Sequence, residues 1–562
     1  MGQGSRLIRP RTVTGDGDGL VSHAGIAWLA ETADLSGLSA GLSAAMVGVP
    51  QRRHDAGRTL AQMVLALADG ATCLSDLAAM RAQPCVFGAV GSEATVWRTF
   101  DHVGPVELRG IAVARAAARE RAWTAGAGPA GVEMIVDVDS TIIRTKADKQ
   151  DASPTYKRTY GHHPLLAMCA ETDEVLAGIL RPGNAGANTA IDHVVLLADA
   201  LAQLPAVWRA GHAVGDDPSD MERRILVRAD SAGASHWLAE ECVDRNIEFS
   251  LGYQIDERVR DGVMCVPTGC WHPAIEADDT HRAGAEVVEL TDFVNLDAWP
   301  TGTRLIVRRE RPHPGAQLSL FDTIEGFRHT AFITNTAGYN IAALECRQRQ
   351  RARAENVIRD AKATGLANLP FDDIVNNDVW IQLCFAANDL LAWAQAIGCT
   401  GQLRRATPKT IRHRLLHVAA RVTPTGRSLR LDRHWPWTRA LLDAIARVRS
   451  AFAPLSVTQT PTTQAALCRV GRWRGGGVTG EVVPARAVVV AFLSAPAQGP
   501  QLPHRYPLRF QRPPHRTVRA VLPHTAHRRR SPPAFGVPRQ ARPGLGATTV
   551  PSRRISPSWL GD

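Results

Sequence analysis

The chain has only five lysines, and aromatic residues make up 6% of its 562 positions. Arginine therefore carries nearly all of the positive charge. No apolar run reaches the roughly 18 residues that a membrane-spanning helix needs, which argues against a membrane protein. The opening stretch MGQGSRLIRPRTVTGDGDGL has no apolar core behind its basic residues and does not read as a secretory signal. The ten cysteines lack close regular spacing. That speaks against a disulfide scaffold and for a reducing compartment. Cys265, Cys270 and His272 are residue types that bind zinc, but their spacing is a poor match to a zinc pattern. No Gly-x4-Gly-Lys-Ser/Thr loop is present, so nothing points to ATP. What is there is a chain with 45% hydrophobic residues, too apolar to be wholly disordered and long enough for two or more domains.

The formal net charge of +11 is unevenly spread. Residues 459–562 hold 16 arginines, no lysine, and only Glu481 and Asp562 as acids, a net of +14. The rest of the chain carries −3. Net charge is therefore no argument for nucleic-acid binding by the folded part, and only local patches count. The tail also holds 15 of the 35 prolines and lacks sustained amphipathic periods. Its composition predicts disorder or weak order, and fits translation from a shifted or fused frame.

Texture divides the body. Residues 1–20 look loose. Helical periodicity runs through 21–130, in HAGIAWLAETADLSGLSAGLSAAM, in GRTLAQMVLALADGATCLSDLAAMR and in the Ala/Arg-rich stretch 103–129. GSEATVWRTFDHV, with Ser92 as N-cap, fits either the last helix of a helix-turn-helix or a structural helix. Residues 131–254 alternate strands and helices, the pattern of an α/β core. Residues 255–335 read as strands with Pro/Gly turns. Residues 336–458 begin with one long basic helix, ALECRQRQRARAENVIRDAKATGL, followed by NNDVWIQLCFAANDLLAWAQAIG, in which Trp380, Leu383 and Leu390 read as core.

Three acids stand out by their settings. Asp139 ends the strand MIVDVDST, with Asp137 two residues earlier on the same strand face. Asp230 ends the strand ILVRAD, and Glu355 lies in the long basic helix. Strand ends in an α/β sheet are where polar groups converge on a substrate. Taken singly, each acid fits a cap or a local ion pair equally well. Taken together, three carboxylates can hold two hard divalent ions for in-line phosphoryl transfer. Arg351, Glu355 and Lys362 sit at i, i+4 and i+11, one helical face, with Arg359 widening the basic patch. Cations in such a patch meet DNA phosphates without reading sequence. Lys157, Arg158 and Tyr160 form a second cation and aromatic cluster that suits DNA, whereas the adjacent His162 and His163 suit packing better than catalysis. Trp237 is expected to pack in the helix after Asp230.

These motifs resemble the DDE transposases of the IS4-like superfamily, most closely the IS1380 family, over roughly residues 18–458. Asp139-Ser140-Thr141 resembles the first motif, Asp-x-Thr after an apolar strand. RADSAG resembles the second, placing Asp230. The third is Tyr-x2-Arg-x3-Glu-x6-Lys, matched by Arg351, Glu355 and Lys362, with Gln348 at the tyrosine position. The segments KRTYGHHPL and RARAENVIRDAKATGLANLP are similar to family blocks as well. The resemblance implies an α/β fold with an RNase H-like catalytic core, interrupted by a mostly β insertion at 255–335 and preceded by a helical, DNA-binding domain. It implies that Asp139, Asp230 and Glu355 are catalytic and hold two Mg²⁺ ions, with Mn²⁺ as a substitute. Asp137 would be either a spare metal ligand or a supporting group behind the ligands, the second being favoured because the Asp-x-Thr match selects Asp139. Arg351, Lys362, Lys157, Arg158 and Arg359 would contact DNA, and Trp299 is a candidate for stacking on a base. The implied partners are double-stranded DNA, both terminal inverted repeats and target, and further copies of the chain in a synaptic complex, with no membrane. The implied place is the bacterial cytoplasm, at the nucleoid. Two other readings fit the same residues: a metal-dependent nuclease without strand transfer, and an inactive DNA-binding relic.

Overall fold

The computed structural model describes residues 14–453, apart from 51–53, 187–188, 313–322, 325, 339, 424 and 427. The loose segment expected at the N-terminus lies largely outside the described residues, and the tail expected at 459–562 lies wholly outside them.

The helical region comes first: α1 (Ile26–Ser36), α2 (Leu38–Ala45), α3 (Ala56–Asp69), α4 (Glu93–Asp101) and α5 (Pro105–Ala122). The long apolar period is cut between α1 and α2 by Gly37, which takes φ +81 and so suits no side chain well. Ser92 caps α4 as its sequence position implies, its hydroxyl accepting from the Thr95 amide. The buried face of α4 is Val96, Thr99 and Phe100, and Phe100 stacks on Phe371 with ring centroids 4.9 Å apart.

The α/β core comes next. Its strands are β1 (Glu133–Ser140), β2 (Leu165–Cys169), β3 (Val175–Ile179), β4 (Arg224–Ala229) and β5 (Glu248–Tyr253). They lie in the order β3-β2-β1-β4-β5, with β1, β4 and β5 parallel and β2 and β3 antiparallel, consistent with an RNase H-like sheet. Helix α6 (Ala190–Ala202) crosses from β3 towards β4, and α7 (His236–Asp244) joins β4 to β5.

The segment 255–335 differs from its sequence texture in two ways. It opens with a helix, α8 (Glu257–Cys265), capped by Asp256. Its strands are β6 (His272–Ile275), β7 (His281–Glu289), β8 (Arg304–Glu310) and β9 (Phe327–Thr334). They continue the core sheet, because β9 pairs antiparallel with β5 from Ala331–Tyr253 to Thr334–Ser250. The insertion is thus hydrogen-bonded to the edge of the core, which local sequence pattern cannot reveal.

The long basic helix is interrupted. It forms α9 (Ile341–Arg349), a tight 3-10 turn over Gln350–Arg353, then α10 (Ala354–Ala361) and a wide turn over Lys362–Leu366. The 25-residue α11 (Ile374–Gly398) buries Trp380, Leu383 and Leu390 and packs on the helical region and on β3. Helix α12 (Thr438–Ala451) packs against α11 and α1. No single helix among the described residues is long and apolar enough to cross a membrane. A bent pair, α3 with Leu74–Arg81, reaches that size by length and composition only.

Four charges tie the helical region to the sheet. Arg115 and Arg119 of α5 are buried. The Asp389 carboxylate of α11 accepts from Arg115 at 2.8 and 3.0 Å, and Arg119 pairs with it at 2.8 Å. Glu174, just before β3, accepts from Arg119 at 2.5 Å and from the Trp123 indole at 2.7 Å. Removing one partner of a buried ion pair leaves an uncompensated charge, at about 3–5 kcal/mol. Asp389→Asn is therefore expected to lower unfolding stability by about that amount in urea melts.

Asp378, on the second turn of α11, has the opposite character. Burial, with the nearby Asp373 charge, pushes its carboxyl up to about 6. The folded state then binds a proton more readily than the unfolded chain, so stability falls as pH rises from about 4 to about 6 and stays reduced above that. Asp378→Asn should raise stability by about 1–3 kcal/mol at pH 7.5 and leave it unchanged near pH 3.5, read from melts at the two pH values.

Candidate active site

Strands β1 and β4 are parallel neighbours, and their pairing runs up to Val138 beside Ala229. The next residues, Asp139 and Asp230, thus lie side by side at the carboxyl ends of the two strands. One oxygen of each is fixed by backbone. Asp139 Oδ1 accepts from Ser140 N at 2.8 Å, and Asp230 Oδ1 accepts from Ala232 N and Gly233 N at 3.1 and 2.9 Å. The other oxygen of each faces one guanidinium: Arg351 Nη1 lies 3.2 Å from Asp139 Oδ2, and Arg351 Nη2 lies 3.9 Å from Asp230 Oδ2. Burial pushes the Asp139 carboxyl above its ordinary range; Arg351 opposes this and the Asp230 charge adds to it.

A second ionic pair lies one step back along the same strands. Asp137 and Arg228 are directly paired in register, and both are buried. Arg228 Nε donates to Asp137 Oδ1 at 2.7 Å and Nη2 to Oδ2 at 2.8 Å. Both Asp137 oxygens are therefore engaged by a bidentate fork. Arg228 Nη1 also donates to the Arg347 carbonyl at 2.5 Å, fastening α9 to the sheet. Gln348, at the position where the resemblance calls for tyrosine, donates to Ala229 O at 3.1 Å and accepts from the Ser250 hydroxyl at 2.8 Å. It thus pins the backbone next to Asp230. Gly252 of β5 allows the same close approach, since a Cβ there would meet Ser231 N at 2.5 Å and the Asp230 carbonyl carbon at 2.8 Å. Sequence reasoning misses Arg228, although Arg-x-Asp facing Asp-x-Asp across parallel strands is a readable signal.

The remaining residues fall around this centre. Glu355 is exposed in the first turn of α10. Among the described residues the one group of three His, Cys, Asp or Glu side chains with donor atoms within 4.8 Å of one another is His23, Asp69 and His417. Lys362 Nζ donates to Ile142 O at 3.1 Å, in the loop after β1, and burial followed by the Lys157 charge holds its ammonium below the usual range. Lys157, Arg158 and Tyr160 are exposed, with the Lys157 ammonium over the Tyr156 ring. Arg359 is exposed and contacts Asp360 and Asn356. His162 and His163 are buried, with ring nitrogens on the carbonyls of Gln150 and Ala185. Cys265, Cys270 and His272 are all exposed and form no ligand cluster. Trp237 does not pack into its helix as expected but is 57% exposed, whereas the Trp299 ring lies tilted against His236, centroids 4.1 Å apart.

The site fits a hard divalent cation. Two carboxylates, each with one oxygen pre-set by backbone amides, already aim their free oxygens at a shared cation, the Arg351 guanidinium. Asp139 and Asp230 are the residues that would hold such an ion, with the exposed Glu355 available four residues after Arg351.

No curated protein matches this chain. A solved structure, the piggyBac transposase synaptic complex with hairpin DNA, is similar over 77% of this chain and 87% of that one, at 11% identity and a TM-score of 0.37. A family model described as Transposase DDE domain group 1 matches residues 7–452. The paired strand-end aspartates thus sit inside a match that spans most of the sequence, and the chain belongs to the Transposase DDE domain group 1 family.

Proposed function

We propose that this protein is a DNA transposase of the IS4-like superfamily, closest to the IS1380 family, acting in the bacterial cytoplasm at the nucleoid. It cleaves phosphodiester bonds at the terminal inverted repeats of its element and joins the freed 3′-hydroxyl ends to target DNA. The observation that carries the reading is the pair Asp139 and Asp230, held by backbone amides with their free oxygens converging. Asp139, Asp230 and Glu355 are the proposed catalytic ligands of two Mg²⁺ ions, with Mn²⁺ as a substitute. Bound there, the metal supplies Lewis-acid polarisation of a phosphate and activation of the attacking oxygen. The chain's own residues do the rest. Asp137 and Arg228 hold β1 and β4 in register beneath the carboxylates, and Gln348 fixes the backbone at Ala229. Arg351, Lys362, Lys157, Arg158 and Arg359 supply cations for phosphate contacts. Two DNA ends must be held together for strand transfer, so self-association in a synaptic complex belongs to the proposal.

Labelled terminal-repeat DNA with a target plasmid and Mg²⁺ tests it. Insertion products are expected; hydrolysis without insertion would make the chain a nuclease, and neither product would make it a relic. Asp139→Asn or Asp230→Asn should cut cleavage by about 10³-fold or more while DNA binding persists. The added methyl of Gly252→Ala must displace the Asp230 backbone, so cleavage should fall although every carboxylate remains. Lys157→Ala with Arg158→Ala should weaken binding to all sequences alike and reduce the slope of log K against log salt by about 2 in filter-binding assays.

A further inference from the structure

His23, Asp69 and His417 meet although 46 and 348 residues separate the two histidines from Asp69 in sequence. His23 lies in the turn before α1 at φ +55, Asp69 is the last residue of α3, and His417 comes directly after the wide turn Arg412–Leu416. His23 Nδ1 is 2.5 Å from Asp69 Oδ2, and His417 Nε2 is 3.1 Å from Asp69 Oδ1. The two imidazoles stack with centroids 4.1 Å apart at 29°. Their donor atoms and the carboxylate oxygens lie within 4.8 Å of one another.

We infer that His23, Asp69 and His417 bind one divalent transition-metal ion of the Zn²⁺ class, at a site distinct from the strand-end aspartates. Zinc bonds imidazole nitrogen at about 2.0–2.1 Å and carboxylate oxygen at about 2.0–2.2 Å, so donor atoms this close need only small movements to share an ion. Two imidazoles and one carboxylate are a borderline set that favours Zn²⁺, Co²⁺ or Ni²⁺ over Mg²⁺. Arg412 lies beside the group. Its guanidinium donates to the carbonyls of Ala68 and Leu67, ending α3, and its charge acts on Asp69. The Asp69 side chain is 12% exposed and the two histidines about a third, so an ion has a route in and a position left for water.

The same place is already a junction. Leu20 and Val21 pair with Arg421 and Ala420, and Ala24 N and Gly25 N donate to Val418 O and Leu416 O. A metal there would clip the start of the described chain and the end of α3 to the segment before α12, a structural role that stands whether or not the protein is a transposase.

The test uses the full chain carrying Asp139→Asn and Asp230→Asn, stripped with chelator and titrated with Co²⁺. One equivalent should bind, with a ligand-field spectrum containing nitrogen donors and a rise in melting temperature, and Zn²⁺ but not Mg²⁺ should displace it. Adding His23→Gln and His417→Gln, which keep amide donors for Asp69, should abolish the spectrum and the rise. Equal Co²⁺ binding after those changes, or none before them, overturns the inference. Should the histidine variant fail to fold, electron paramagnetic resonance of Cu²⁺ on the parent decides: coupling to two imidazole nitrogens supports the site, and to fewer rejects it.

Discussion

Two guanidinium groups of α5 end inside the protein, and the sheet can take its place only where their charge is balanced. Arg115 and Arg119 are fully desolvated, a state that costs several kcal/mol per ion unless each is paired and hydrogen-bonded. Their partners come from three directions. Asp389 lies midway along α11, Glu174 stands at the head of β3, and Gln203 comes just after α6. Arg115 also donates to Val175 O at 2.7 Å, and Val175 N donates to Asn388 of α11 at 3.1 Å. The network closes only when helical region, sheet and α11 are all assembled, so the helical region and the core are energetically one object. Because β3 pairs with β2 and β2 with β1, fixing Glu174 and Val175 also fixes the strand that ends in Asp139.

A smaller ionic layer repeats this logic beneath the candidate site. The pair Asp137–Arg228 occupies facing positions of β1 and β4, and a slip of one strand by one residue would put the two side chains on opposite faces of the sheet. The pair therefore specifies the register that sets Asp139 beside Asp230. Its third hydrogen bond, to Arg347 O, carries the register into α9. One turn later Arg351 reaches both aspartates. The basic helix is thus positioned by the layer below the site as well as by its own contact with it.

Local pattern makes the strands, the caps and the motif acids legible, since period-2 alternation and N-cap residues act over a few positions. Ser92, Ser235 and Asn340 all cap helices through their side chains. The hidden features depend on distant partners. Arg115 and Arg119 read as part of an Ala/Arg-rich helix because Glu174 and Asp389 stand 55 to 274 residues away. The pairing of β9 with β5 and the meeting of His23, Asp69 and His417 are hidden for the same reason. The break in the long basic helix is hidden more locally. A 3-10 turn advances about 120° per residue instead of 100°, so four such residues, Gln350–Arg353, rotate the rest of the helix by roughly 80°. Glu355 is exposed on α10, and Arg351 faces the aspartates.

That rotation bears on how the basic patch can act. Outside the C-terminal 104 residues the chain carries a net charge of −3, so a long-range field does not draw DNA to the folded body, and local cations must do the work. Arg351 is the cation nearest the aspartates, and in the described conformation it is committed to them. Two carboxylates at this spacing repel, and losing their counter-ion to a phosphate would leave that repulsion unbalanced in a partly buried site. A phosphate contact by Arg351 therefore requires another cation at Asp139 and Asp230 first. Lys157, Arg158 and Arg359 are exposed, and Arg359 pairs with Asp360 on its own helix. The cations of the patch are thereby ordered: the exposed ones can meet a duplex without disturbing the aspartates, and the inner one only when the aspartates have gained another cation.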